Sequence, residues 1–261
     1  MNEFSCSAAL PHGWPVFRRC IRLHVTDVEG GGGVCVRAAL EDDFHHFRVE
    51  LQTRGHVIEA IRAHALRYPY SLCPSAADSL QRLVGRSLPS RAHALGQWVD
   101  ASEQCTHMLD LAGLASAAAA RGAHERRYDV VVPLRRNGRT HAWLERDGVP
   151  LLHWAVVEFG ITGPQRYAGR DLRHGFARWA LENLSEEEAE AALVLRRCAV
   201  ISMGKGKPLD RQIHAVATGR CYAQQPERAP LALRQVGSTW DFTARRDALC
   251  ADDAAWLTGS V

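Results

Sequence analysis

The chain has 261 residues, 46% of them hydrophobic and 23% charged, with a formal net charge of +3. That length and composition can bury a sizeable core, which excludes wholesale disorder. The balance is too close to neutral to serve as a nucleic-acid footprint, and there is no apolar run of about eighteen residues to span a membrane. The first sixteen residues carry no basic stretch followed by a long apolar one, so a signal peptide is not expected. Eight cysteines without secretory signals fit a reducing cytoplasm and direct attention to metal or catalytic chemistry before disulfides.

Residues 17–27 alternate apolar and polar and read as a half-buried strand, followed by a glycine turn at 30–33 and a second strand over 34–40. Phe47, Val49 and Leu51 mark a third strand, closed by a hairpin at Arg54-Gly55. Residues 57–70 stay ambiguous: Val57, Ile58, Ile61 and Ala65 suit a helix, yet the hairpin calls for a strand. Pro74 opens a helix that stops at Gly85, another starts near Arg91, and a further one runs from Cys105 to a stop at Gly122.

Beyond a boundary near 122–127 the pattern changes. Strands over 128–134, 140–145 and 149–159 are joined by Asn137-Gly138 and Asp147-Gly148, both strong hairpin signals. Helix is expected over 172–181, and Ser185 with Glu188 forms a capping box that opens a helix to about Val200. After Gly204 the pattern weakens to loops; Gly204-Lys205-Gly206-Lys207 follows a helix instead of opening one and reads as a surface loop, not a phosphate cradle. The expected class is α+β, with an antiparallel sheet followed by helices and then a β-meander plus helices. The expected domains are 15–122, which binds metal, and 126–261.

Ligands for borderline metals are imidazole, thiolate and carboxylate, converging from separate elements. Three places supply them: Glu41-Asp42-Asp43-Phe44-His45-His46 at the mouth of the third strand, Cys73 at a helix start, and Cys105-Thr106-His107 at another. Strand alternation would put Asp43 and His45 on the face of Phe47, with His46 on the other face beside Arg48. A thiol at a helix N-terminus is expected to have a lowered pKa, which suits it to ligation or nucleophilic attack. The candidate ligands are therefore Asp43, His45, His46, Cys73, Cys105 and His107.

Asp43-Phe44-His45-His46-Phe47, Arg67-Tyr68-Pro69, Cys73-Pro74, Leu83-Val84-Gly85, Cys105-Thr106-His107, Cys221-Tyr222 and Gln225-Pro226 together resemble a bacterial family known only as a domain of unknown function. The resemblance extends over about 15–245 and implies no established activity. Residues 17–121 also resemble the iron–sulfur cluster scaffold proteins, with Asp43, Cys73 and Cys105 at ligand positions of that family and Glu41 where its first cysteine would stand. The missing cysteine and the crowding histidines shift the implied site towards a mononuclear one. The expectation is a cytoplasmic metalloprotein, an enzyme holding one Fe or Zn ion and acting on a small-molecule substrate. The alternative is a non-enzymatic scaffold or carrier for metal or an iron–sulfur cluster, and a third reading makes Cys105 a nucleophile with a nearby histidine as base.

Overall fold

The computed structural model describes residues 13–28 and 32–260, and the expected turn at 30–33 and the N-terminal stretch 1–16 lie partly outside them. Eight strands, β1 (Val16–Asp27), β2 (Val34–Asp42), β3 (His46–Arg54), β4 (Val57–Arg67), β5 (Glu125–Pro133), β6 (Arg139–Arg146), β7 (Val149–Val157) and β8 (Gly160–Gly163), form one sheet. Its order is β4-β3-β2-β1-β5-β6-β7-β8, with antiparallel hairpin pairing between neighbours such as β2 and β3. The helices are α1 (Thr106–Arg121), α2 (Phe176–Asn183), α3 (Glu186–Ile201) and α4 (Ala254–Thr258). The class is α+β. Among the described residues, no helix is long and apolar enough to cross a membrane.

The chain divides into two compact units. One comprises residues 21–126, 208–240 and 250–261, and the other residues 1–20, 127–207 and 241–249. In the first, Val36, Ala38 and Leu40 of β2 and Phe47, Val49 and Leu51 of β3 are buried at alternate positions, as the period of a strand requires. Helix α1 packs on β2 and β3. Its Ala112, Gly113, Ala115, Ala117 and Ala118 are all buried, and small side chains let neighbouring backbone come close. At Gly113 an added Cβ would lie 1.9 Å from the carbonyl oxygen of Ala92. Gly122, at φ 65°, ends the helix in the left-handed conformation that glycine adopts without strain.

The ambiguous segment after the hairpin is β4, and its helix-like spacing has a specific cause. Thr53 pairs with Ile58 but Gln52 pairs with Ala60, so Glu59 is an extra, bulged residue. The bulge puts Ile58 and Ile61 on one buried face at a spacing of three, which imitates helical periodicity. The segment Pro74–Leu83 is helical as expected, but it winds as a 3-10 helix, as does Ala92–Gln97.

In the other unit, Asn137 and Gly138 (φ 50° and 73°) and Asp147 and Gly148 (φ 53° and 79°) turn the meander at the expected places. The expected last strand is divided, because Glu158 at φ 51° reverses the chain into β8. Ser185 and Glu188 close a reciprocal capping box on α3, which packs on β6 and β7. The lysine loop after α3 is a surface turn whose Lys205 Nζ lies 2.8 Å from Asp241.

Candidate metal centre

The β2–β3 connection decides which side chains meet. Asp42 N–H donates to the His45 carbonyl at 2.8 Å, and Glu41 pairs with His46, so Asp43 and Phe44 form a tight turn. Asp42 locks that turn through Oδ1, which accepts the backbone N–H of Phe44 at 2.7 Å and of His45 at 2.8 Å. The same oxygen lies 3.0 Å from His45 Nδ1. An ionised carboxylate can only accept, so Nδ1 carries the hydrogen and the lone pair of the neutral ring is on Nε2.

Arg67, at the end of β4, threads the turn from behind. One terminal nitrogen donates to the Asp42 carbonyl at 2.6 Å and to Glu41 Oε1 at 3.2 Å, the other to the carbonyls of Asp43 at 3.2 Å and Ser238 at 2.9 Å. The guanidinium also stacks 4.3 Å from the Trp240 ring centroid. These contacts aim His45 towards the start of α1. There its ring lies 4.0 Å, centroid to centroid, from that of His107. The Phe47 ring flanks both, at 5.6 Å from His45 and 5.8 Å from His107.

Among the described residues, one group of three His, Cys, Asp or Glu side chains brings donor atoms within 4.8 Å of one another: Asp42, His45 and His107. All three are buried. Two of the six candidates from the sequence, His45 and His107, are therefore brought together, and the carboxylate beside them is Asp42, not Asp43. The difference follows from the turn: residues 43–45 lie between strands, so the alternation that would align Asp43 with His45 does not extend to them. Asp43 is fully buried, and its backbone carbonyl accepts from Arg67 and from Trp240 N–H, the latter at 2.7 Å.

His46 faces the other way, as alternation implies, and is engaged there. Its Nε2 lies 3.0 and 3.1 Å from the two oxygens of Asp253, which also accept Arg48 Nε at 2.6 Å, and its Nδ1 lies 3.6 Å from Glu41. Burial alone would raise the Asp253 carboxyl, but His46 and Arg48 outweigh it and hold the group below its ordinary value. Glu41 closes the network by accepting Cys250 N–H at 2.8 Å. Two buried carboxylates are thus paired with the two guanidiniums, Glu41 with Arg67 and Asp253 with Arg48.

Cys73 and Cys105 stand outside the His–His–Asp group. Each precedes a helical turn, yet burial overrides the helix start. Burial pushes the Cys73 thiol up, with Cys105 and Cys221 adding to the effect. Burial also pushes Cys105 up to about 12, against the lowering by backbone N–H groups of Met108 and His107. The expected low-pKa thiol is therefore reversed, because the desolvation of a buried sulfur is larger than the benefit of two amides. Cys105 and Cys221 are neighbours of a backbone hydrogen bond from Tyr222 N–H to the Gln104 carbonyl at 2.9 Å, and among the described residues no cysteine forms a disulfide.

Residue type made His45 and His107 visible in the sequence. The participation of Asp253, 207 positions from His46, had no local signal. Arg67 was visible only as part of a motif. Residues 19–121 match a family described as "Protein of unknown function (DUF2889)", and this stretch contains Asp42, His45, Arg67, Cys73, Cys105 and His107. No curated protein matches the chain.

Proposed function

We propose that the DUF2889 region holds one divalent transition-metal ion, Fe or Zn, on His45, His107 and Asp42, and that the protein is a metalloenzyme acting on a small molecule. The observation that supports this reading is the convergence of two imidazoles and one carboxylate within 4.8 Å from two separate elements, the β2–β3 turn and the first turn of α1. Two histidines and one carboxylate suit these ions and leave coordination positions open, as catalytic sites do and closed structural sites do not. His45 Nδ1 lies 3.0 and 3.3 Å from the two oxygens of Asp42, so the ion would take the place of the hydrogen between them, with His45 Nδ1, an oxygen of Asp42 and a nitrogen of His107 as donors. When bound, the ion would supply Lewis acidity to a carbonyl or to water. The chain contributes the rest: the backbone N–H groups of Phe44 and His45 hold the Asp42 carboxylate, Arg67 fixes the turn, and Phe44 and Phe47 keep the imidazoles dry.

The second reading, a non-catalytic carrier of metal or an iron–sulfur cluster, is favoured by one observation: Cys105 and Cys221 lie close enough to Cys73, and Cys221 close enough to Cys105, to push those thiols up. Anaerobic Co(II) titration of the untagged chain separates the two. The first reading expects weak visible bands that vanish in His45→Ala and His107→Ala. An intense near-ultraviolet sulfur-to-cobalt band, lost in Cys73→Ser and Cys105→Ser, would favour the carrier and overturn the first.

A further inference from the structure

The β6–β7 hairpin belongs to the unit that lacks the His–His–Asp group, and it carries a second pair of imidazoles. Trp143 pairs across the strands with His153, and His141 lies two residues before Trp143 on the same face. His141 Nδ1 is 2.9 Å from His153 Nε2. The rings of Trp143 and His153 are parallel, 4.9 Å apart with 1° between planes, and His141 stacks on Trp143 at 5.3 Å. The two imidazoles so cover the indole that Trp143 is only 8% exposed, although His141 is solvent-exposed and His153 partly so.

We infer that His141 and His153 form a solvent-open site for a divalent ion of the Cu(II) or Ni(II) class. A metal takes a lone pair from each nitrogen, so the hydrogen shared by the pair leaves and each ring keeps its other N–H. Nitrogens held about 2.0–2.1 Å from one ion are about 2.9 Å apart when the angle at the ion is about 90°, and about 3.4 Å apart at the tetrahedral angle. The separation of 2.9 Å is that of a hydrogen-bonded pair and lies within the span of one ion bound to both nitrogens, and among the divalent ions that take imidazole Cu(II) binds most tightly, with Ni(II) next in the series below it. The remaining adjustment is a rotation of the rings about χ2, a soft torsion for histidine. Trp143 restrains both rings and lowers the cost of ordering them. The other coordination positions point to solvent and take water or a small chelating ligand.

Cu(II) titration of the untagged full chain, followed by tryptophan fluorescence and electron paramagnetic resonance, tests this. An ion on these nitrogens lies against Trp143, one of seven tryptophans, so a saturable partial quench is expected, with hyperfine structure from two imidazoles. In the His107→Ala background, His141→Gln and His153→Gln should each weaken binding about tenfold or more and leave a single imidazole in the spectrum. Trp143→Phe should bind and lose the quench. Circular dichroism checks folding, and either histidine variant suffices if the other misfolds. The inference is overturned if the wild-type chain shows no quench, or if a folded histidine variant keeps the wild-type titration and spectrum. It does not rest on the buried group: His107→Ala should leave this signal in place while removing the cobalt bands described above.

Discussion

Replacing Arg67 by methionine removes the guanidinium that holds the β2–β3 turn while keeping much of the stem that packs beneath it. The wild-type head group reaches the carbonyls of Asp42, Asp43 and Ser238 and the Glu41 carboxylate, at 2.6 to 3.2 Å. Methionine leaves those acceptors inside the protein with fewer donors and leaves Glu41, 4% exposed, without its nearest cation. Removing one partner of a buried ion pair costs about 3–5 kcal/mol, because the other charge stays buried. At about 2–4 °C per kcal/mol for a chain of this size, Tm should fall by roughly 10 °C. Arg67→Lys keeps the charge but not the fork and should lose about half as much. Urea unfolding followed by tryptophan fluorescence is a suitable assay, since Trp240 stacks on the guanidinium and reports the site locally. A methionine variant within about 1 kcal/mol of wild type would show that the turn is held by something else.

Other consequences follow from separate parts of the molecule. Gly113→Ala should destabilise by about 1–3 kcal/mol, since its methyl would collide with the Ala92 carbonyl; an unchanged denaturation midpoint would contradict the close packing of α1. Cys105, with its thiol pushed up to about 12, should resist iodoacetamide at pH 7 in the native protein and react on unfolding in urea; prompt native labelling would refute its burial. Asp241 is buried only in part, so desolvation raises its carboxyl less than Lys205 and Thr243 lower it, to about 2. A depressed folded pKa gives stability that is complete above the ordinary value of 3.8 and fades as pH falls towards 2. Stability should thus decline over that window, and less so in Asp241→Asn; parallel acid profiles for the two proteins would sink the assignment.

Features set by adjacent residues were the legible ones. The type of turn at Asn137-Gly138 and at Asp147-Gly148, the box of Ser185 with Glu188, and the stop at Gly122 each depend on two to four neighbouring side chains. What escaped depends on pairing with distant chain. β4 imitated a helix because the bulge at Glu59 is defined by its register with β3, not by its own residues. Asp43 was preferred to Asp42 because an extended strand was assumed where Asp42 itself folds a turn. His46 looked like a ligand until Asp253 and Arg48 met it from the far end of the chain and from the next position on its own face. The helix-start argument for the thiols considered the backbone dipole alone, whereas burial among Ala215, Ala223, Ala229 and Ala232 governs Cys73.

The central claim is that Asp42, His45 and His107 hold one metal ion, and elemental analysis of untagged full-length protein tests it most directly when carried out on the His141→Gln background, which disables the exposed pair. The account predicts about one Fe or Zn per chain, with that ion lost in His107→Ala and in Asp42→Ala and retained in His46→Gln. Protein that carries no stoichiometric metal after purification and metal supplementation, or a metal content unchanged by His107→Ala, would contradict it.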